Sequence, residues 1–273
     1  DVGKALLCGV IRSLSESLFP SPSTVLSLAP DPRPLVLDPW YTLEPMDSPK
    51  MVLKQVELGP MMNFVYIIGC SETREAAVVD PAWDVESILR IGRDSDLRIN
   101  RIFITHGHPD HMNGLEALLE ATDAKVYIQA DETDYMRLAA EFFHMPMEFM
   151  NRRSSNFKTV CDGEEVLVGK LPVRFLHTPG HTPGSQCFLV EKNLVSGDTL
   201  FINACGRVDL PGGDPEKMWW SLNRRLRALE DDTVLYPGHN YADRPISTMG
   251  EQKRGNPYMQ YATLDDFLRD MRS

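Results

Sequence analysis

Ile102-Phe103-Ile104-Thr105-His106-Gly107-His108-Pro109-Asp110-His111 joins an apolar run to four potential metal ligands within six residues. Alternate side chains of an extended chain point to the same side, so His106 and His108 can reach one ion together. Pro109 stiffens a turn, and Gly114-Leu115-Glu116-Ala117-Leu118 continues as a helix. Asp110 and His111 fall at that turn, placed to address a second ion. Neutral imidazole and carboxylate are the ligands expected for zinc, iron or manganese. A lone histidine is usually structural, but three of the chain's seven histidines share this segment with an aspartate.

Three further polar residues end apolar runs. His181 stands in His177-Thr178-Pro179-Gly180-His181, Asp198 in Ser196-Gly197-Asp198-Thr199, and His239 in Tyr236-Pro237-Gly238-His239-Asn240-Tyr241. Each is flanked by Gly or Pro, which turn the backbone sharply at a strand's end. Ligands at several strand ends converge at one edge of a sheet.

The rest of the pattern is α/β. Apolar runs at 63–68, 76–80, 101–105 and 125–129 predict strands, as do those at 164–168, 173–177, 186–191, 194–196 and 233–236. Helical periodicity covers 85–91, 114–121, 133–143, 215–229 and 264–271. Asp214 before Pro215 is a strong helix start. Strands in both halves with helices between them imply two sheets covered by helices; periodicity leaves their topology open.

Composition sets the outer bounds. Apolar residues make up 42% and charged residues 25%, ordinary for a folded soluble chain. No apolar run reaches ~18 residues, so no membrane span is expected. A formal charge of −11 argues against a nucleic-acid partner. The five cysteines form no CxxC pair, which favours buried free thiols and a cytoplasmic setting over a disulfide framework. Residues 1–50 hold eight prolines and read as a poorly ordered extension ahead of a domain over 51–273.

With these residues quoted, the chain resembles the metallo-β-lactamase superfamily. The likeness rests on His106-x-His108-x-Asp110-His111, then His181, Asp198 and His239 in order, with Asp80 in Val78-Val79-Asp80-Pro81 matching that family's first acidic motif. It implies a four-layer αβ/βα sandwich with the site along one edge of the sheets. It further implies that His106, His108 and His181 hold one of two divalent metals, and that Asp110, His111 and His239 hold the other. Asp198 would bridge the metals, with Asp110 also the candidate catalytic carboxylate. Asp80 and His177 would support the ligand loops from behind. Zinc is the expected metal for hydrolysis, with iron or manganese compatible.

The stretch Gly206-Arg207-Val208-Asp209 and the segment Pro237-Gly238-His239-Asn240-Tyr241 resemble the glyoxalase II-like branch and the related persulfide dioxygenases. The first reading is thioester hydrolysis of a hydroxyacylglutathione type, through a metal-bridging hydroxide. The alternative is an Fe(II) dioxygenase using His106, His181 and Asp198. Lactonases share the motifs. With a short stretch after His239, the helical C-terminal domain that holds glutathione in full-length glyoxalase II is not expected here.

The partner expected is a small molecule, with glutathione conjugates as candidates. Arg152, Arg153 and Lys158 are candidate contacts for its carboxylates, with Arg207 and Tyr241 closer to the ligands. Arg207 and Asp209 are expected to pair with each other, and Cys205 to be a packed thiol. The resemblance implies that the loop holding Asn63 approaches the cleft; an ordinary turn role is the equal alternative. The Met- and Phe-rich insert from Phe142 to Cys161 is expected to be core or a flap.

Overall fold

The computed structural model describes residues 50–144 and 148–271. The extension expected over residues 1–50 lies, but for Lys50, outside the described residues.

Strand β1 (Met51–Leu58) pairs antiparallel with β2 (Asn63–Cys70), which pairs antiparallel with β3 (Glu75–Val79). Parallel pairing then adds β4 (Arg98–Phe103), β5 (Lys125–Gln129) and β6 (Phe157–Val160), giving six strands in chain order. Between them run α1 (Val85–Asp94), α2 (Pro109–Met112), α3 (Leu115–Thr122), α4 (Glu132–Phe142) and α5 (Glu148–Arg152). Parallel neighbours need such crossovers, and their helices cover one sheet face.

The second sheet contains β7 (Glu165–Val168), β8 (Leu171–His177), β9 (Gln186–Val190), β10 (Asn193–Gly197), β13 (Val234–Pro237) and β14 (Ser247–Thr248). Its order is β14-β13-β10-β9-β8-β7, and β11 (Leu200–Phe201) pairs separately with β12 (Ala204–Cys205). Helices α6 (Pro215–Trp220), α7 (Met249–Gly255) and α8 (Leu264–Asp270) follow.

Side-chain alternation turns two sheets into four layers. In β2, Phe64, Tyr66 and Ile68 face the other sheet, while Val65 and Ile67 face the helices. Phe103, Phe175 and Phe188 interlock between the sheets, with ring centroids 4.8 to 5.4 Å apart. Burying each such ring contributes about 2 kcal/mol or more. On the far side, Leu176, Cys187 and Leu235 pack against Met218, Leu222, Met249 and Phe267. This is the sandwich the resemblance implies.

Local signals set the helix ends. Asp214 accepts from the N–H groups of Glu216 and Lys217, and Pro215 occupies the first helical position. Thr248 and Glu251 close a reciprocal capping box on α7, a helix the periodicity did not single out. β4 stops at Phe103 rather than Thr105, because the Asp80 carboxylate takes the Thr105 N–H at 2.7 Å. No helix among the described residues is long and apolar enough to cross a membrane.

Cys70, Cys187 and Cys205 are free thiols.

Candidate metal centre

Five strands deliver polar residues from their carboxyl ends. Asp80 follows β3, His106 and His108 follow β4, His181 follows β8, Asp198 follows β10 and His239 follows β13. The sheets are stitched together here: Phe64 N–H donates to Gly238 O at 2.8 Å and Gln186 N–H to Thr105 O at 2.9 Å. Gly238 is forced by close approach, since a Cβ there would lie 2.3 Å from Asp198 Oδ1. Asp80 has a left-handed φ of 49°, a strained conformation that aims its carboxylate inward.

Two donor groups result. The ligand atoms of His106, His108 and His181 all lie within 4.8 Å of one another, as do those of Asp110, His111 and His239. Asp198 stands between the groups. Its Oδ2 lies 3.6 Å from His181 Nε2 and 3.4 Å from His239 Nε2, and its Oδ1 lies 3.4 Å from His111 Nε2.

Proton placement shows what these atoms suit. His111 Nδ1 donates to Asp80 Oδ2 at 2.9 Å, and His239 Nδ1 donates to Met61 O at 2.9 Å. His181 Nδ1 donates to Arg207 O at 2.7 Å. The Thr105 hydroxyl donates to Asp80 Oδ2 at 2.6 Å, so it must accept from His106 Nδ1 at 2.9 Å. His108 Nε2 meets the Tyr135 hydroxyl at 2.9 Å, leaving Nδ1 to face inward.

In the neutral rings of His106, His181 and His239 the inward nitrogen is then a lone pair. His106 Nε2 and His181 Nε2 approach His108 Nδ1 to 3.0 and 2.9 Å, and His111 Nε2 approaches His239 Nε2 to 3.1 Å. Facing lone pairs repel unless a cation lies between them. Asp198 Oδ1 is likewise buried with no hydrogen-bond partner. Histidine and carboxylate donors fixed by outer hydrogen bonds are the set that holds a divalent transition metal.

Electrostatics agree. Burial, reinforced by the neighbouring His181 and His111, pushes His108 down to about 3, so it stays neutral. Burial also holds His106 well below the usual histidine range. His111 is raised instead: burial opposes its charge, but Asp198 and Asp110 outweigh it. The field of those carboxylates draws positive charge to the second group.

A cleft of about 600 Å³ opens over both groups. Its walls include Met61, Trp83, Phe143, Phe201, Leu210 and Tyr241, and it also reaches Asp110, Asp198, Cys205 and Arg207. Burial pushes the Cys205 thiol up to about 12, so it is not a thiolate nucleophile.

The sequence pattern of the Metallo-beta-lactamase superfamily matches residues 58–239, well over half the chain. The chain belongs to the metallo-beta-lactamase superfamily. It is a metallo-hydrolase of that family, carrying His/Asp metal-binding groups. Among its relatives is a probable polyketide biosynthesis zinc-dependent hydrolase, BaeB of Bacillus velezensis, 29% identical over 76% of this chain and 85% of the relative. The probable hydroxyacylglutathione hydrolase glo2 of Schizosaccharomyces pombe is 33% identical over 67% of this chain and 66% of its own length. The crystal structure of ETHE1 from Myxococcus xanthus superposes with a TM-score of 0.70 at 30% identity, covering 82% of this chain and 91% of that one.

Around this superfamily centre the remaining candidates divide. Tyr241 stacks on His239 with ring centroids 4.6 Å apart and lies on the cleft wall. Arg207 borders the cleft but is clasped by Asp209 through two bonds of 2.7 Å. His177 braces the His181 loop, meeting Pro183 O at 2.9 Å. Arg152 and Arg153 are not brought to the cleft. Arg152 pairs with Glu116 and Arg153 with Asp123, and both line a separate small pocket beside Phe149. Lys158 is exposed on edge strand β6. The Phe142–Cys161 insert instead supplies Phe143 to the cleft and Phe149 to the core.

Two supporting residues escaped the sequence reading. Glu132 is buried, and its carboxylate accepts from Gly107 N–H at 2.5 Å, Gly184 N–H at 2.7 Å and the Thr182 hydroxyl at 2.8 Å. It ties the His106–His108 loop to the His181 loop. In sequence it looks like an ordinary acid in a first helical turn. Trp83 donates to Asn63 Oδ1 at 2.8 Å, and Asn63 donates to Asp110 Oδ2 at 2.8 Å.

Proposed function

We propose that the protein is a glyoxalase II-like thioester hydrolase acting on a small molecule at a dinuclear centre. The observation that carries this reading is Asp198, whose Oδ2 lies 3.6 Å from His181 of one donor group and 3.4 Å from His239 of the other, with Oδ1 3.4 Å from His111. Divalent cations at such a centre supply a water that ionises near neutral pH and a Lewis acid for the carbonyl oxygen.

The chain's own residues do the rest. Asp80, Met61 O and Arg207 O fix the histidine tautomers. Asn63 holds Asp110 Oδ2 at 2.8 Å, where the carboxylate takes the proton of the attacking water. The apolar walls keep bulk water from the bound ester. Water adds to the carbonyl carbon, the C–S bond breaks with its electron pair on sulfur, and the thiolate is protonated on release. The products are a carboxylate and a free thiol.

The experiment is thiol release from S-lactoylglutathione and simple acylthioesters by metal-loaded protein. Release supports the reading, and none from the whole panel rejects it. The likeness to ETHE1 favours a second reading, an Fe(II) persulfide dioxygenase using His106, His181 and Asp198. Oxygen uptake with glutathione persulfide, by iron-loaded protein without thioesterase activity, would establish it instead.

A further inference from the structure

Beyond the reaction class, the cleft has a chemistry of its own. Its broad walls are Met61, Trp83, Phe143, Phe201, Leu210 and Tyr241, contributed by six separate segments of the chain. A volume of about 600 Å³ is ample for an extended small molecule. Among the described residues Arg207 is the one Lys or Arg side chain on the lining, and the Asp209 carboxylate already occupies both its Nε and an Nη. Arg152 and Arg153 are committed to Glu116 and Asp123 beside a different pocket.

We infer that the thioester this cleft takes carries an extended apolar acyl chain on an uncharged thiol arm, rather than the doubly carboxylated arm of glutathione. This rests on the thioesterase reading above and names its substrate class. On the walls away from the metal centre, a carboxylate would lose water without finding an uncommitted Lys or Arg among the described residues, and an unpaired charge is expensive to desolvate. An alkyl chain laid along the same walls gains with every methylene removed from water. A neutral amide-bearing arm, such as that of N-acetylcysteamine, needs no counter-ion at all.

The test is calorimetric titration of the full chain with non-hydrolysable thioethers. The probes are S-ethyl-, S-butyl- and S-hexyl-N-acetylcysteamine, with S-hexylglutathione as the anionic competitor. The expected result is a Kd that falls roughly threefold to fourfold per methylene, with the neutral S-hexyl probe binding tighter than S-hexylglutathione. A Kd indifferent to chain length, or tighter binding of S-hexylglutathione, overturns the inference.

Leu210→Lys places a free cation on the wall. It should tighten S-hexylglutathione and weaken the neutral probe; no change in either Kd also overturns the inference. Binding in the expected order, with no thiol release from S-hexanoyl-N-acetylcysteamine, would uphold the inference about the cleft and reject only the hydrolase reading.

Discussion

His111 and His239 meet Nε2 to Nε2 at 3.1 Å, while their opposite nitrogens donate to Asp80 and to the Met61 carbonyl. A contact that close needs a cation or a proton between the two nitrogens. With Asp110 Oδ2 at 3.3 Å from one ring and 3.4 Å from the other, the pair forms the second half of the centre. His239→Ala should lower bound metal from two ions per chain to one. It should cost kcat/KM at least about a hundredfold, beyond what loss of an outer partner costs. Elemental analysis and thioester kinetics on the same preparation check both, and unchanged stoichiometry would contradict the assignment.

Asp80 holds three donors at once: the Thr105 N–H, the Thr105 hydroxyl and His111 Nδ1. Asparagine there can no longer accept on its second atom. Asp80→Asn should weaken metal affinity about tenfold to a hundredfold while the chain still folds. Competition against a chromophoric chelator reads this directly.

Glu132 predicts a pH dependence. Burial, working against bonds from Thr182, Gly107 and Gly184, raises it from 4.5 to about 7. Between those values the folded chain holds a proton that the unfolded chain has lost. Stability from this group is therefore complete below pH 4.5 and is lost as pH rises through about 7. The full effect is roughly 3 kcal/mol. Glu132→Gln removes the titration, so the stability of the parent should fall relative to the variant between these pH values. Urea unfolding of metal-free protein at both ends of the window measures the difference; parallel pH profiles would contradict it.

Arg152 sits on the surface against Glu116, outside the cleft. Exposed ion pairs contribute about 1 kcal/mol or less. Arg152→Ala should leave KM and kcat for any thioester within about twofold, in contrast to its expected role as a carboxylate contact. A large rise in KM would place the substrate elsewhere than the cleft.

Removing metal should lower the melting temperature. A ligand that binds only the folded chain stabilises it by an amount that grows with the logarithm of its free concentration relative to its Kd. Thermal unfolding with and without a chelator checks this, and an unchanged midpoint would argue that no tightly bound ion contributes to the fold.

That these histidines and aspartates would meet at one sheet edge was legible because the signal is local. Each histidine or aspartate ends an apolar run beside Gly or Pro, and strand ends in one direction share an edge. The two layers of helices were legible from periodicity at 85–91, where the helix runs on to Asp94, and from the Asp214-Pro215 start. Strand β6 was not, since its short Phe-Lys-Thr-Val run pairs with β5 only through tertiary contact. Glu132 was hidden for the same reason. Its partners lie 25 and 52 residues away, and nothing in a helical first turn marks an acid as buried. The Arg152-Arg153-Lys158 cluster showed charge but not direction, and α5 and β6 carry it to another face of the domain.

The most direct measurement is thiol release from an acylthioester as metal is added stepwise to metal-free protein. The dinuclear account predicts activity that climbs until two equivalents per chain are bound and that fails to develop in His239→Ala. Full activity at one equivalent, or no thiol release at any loading, would contradict it.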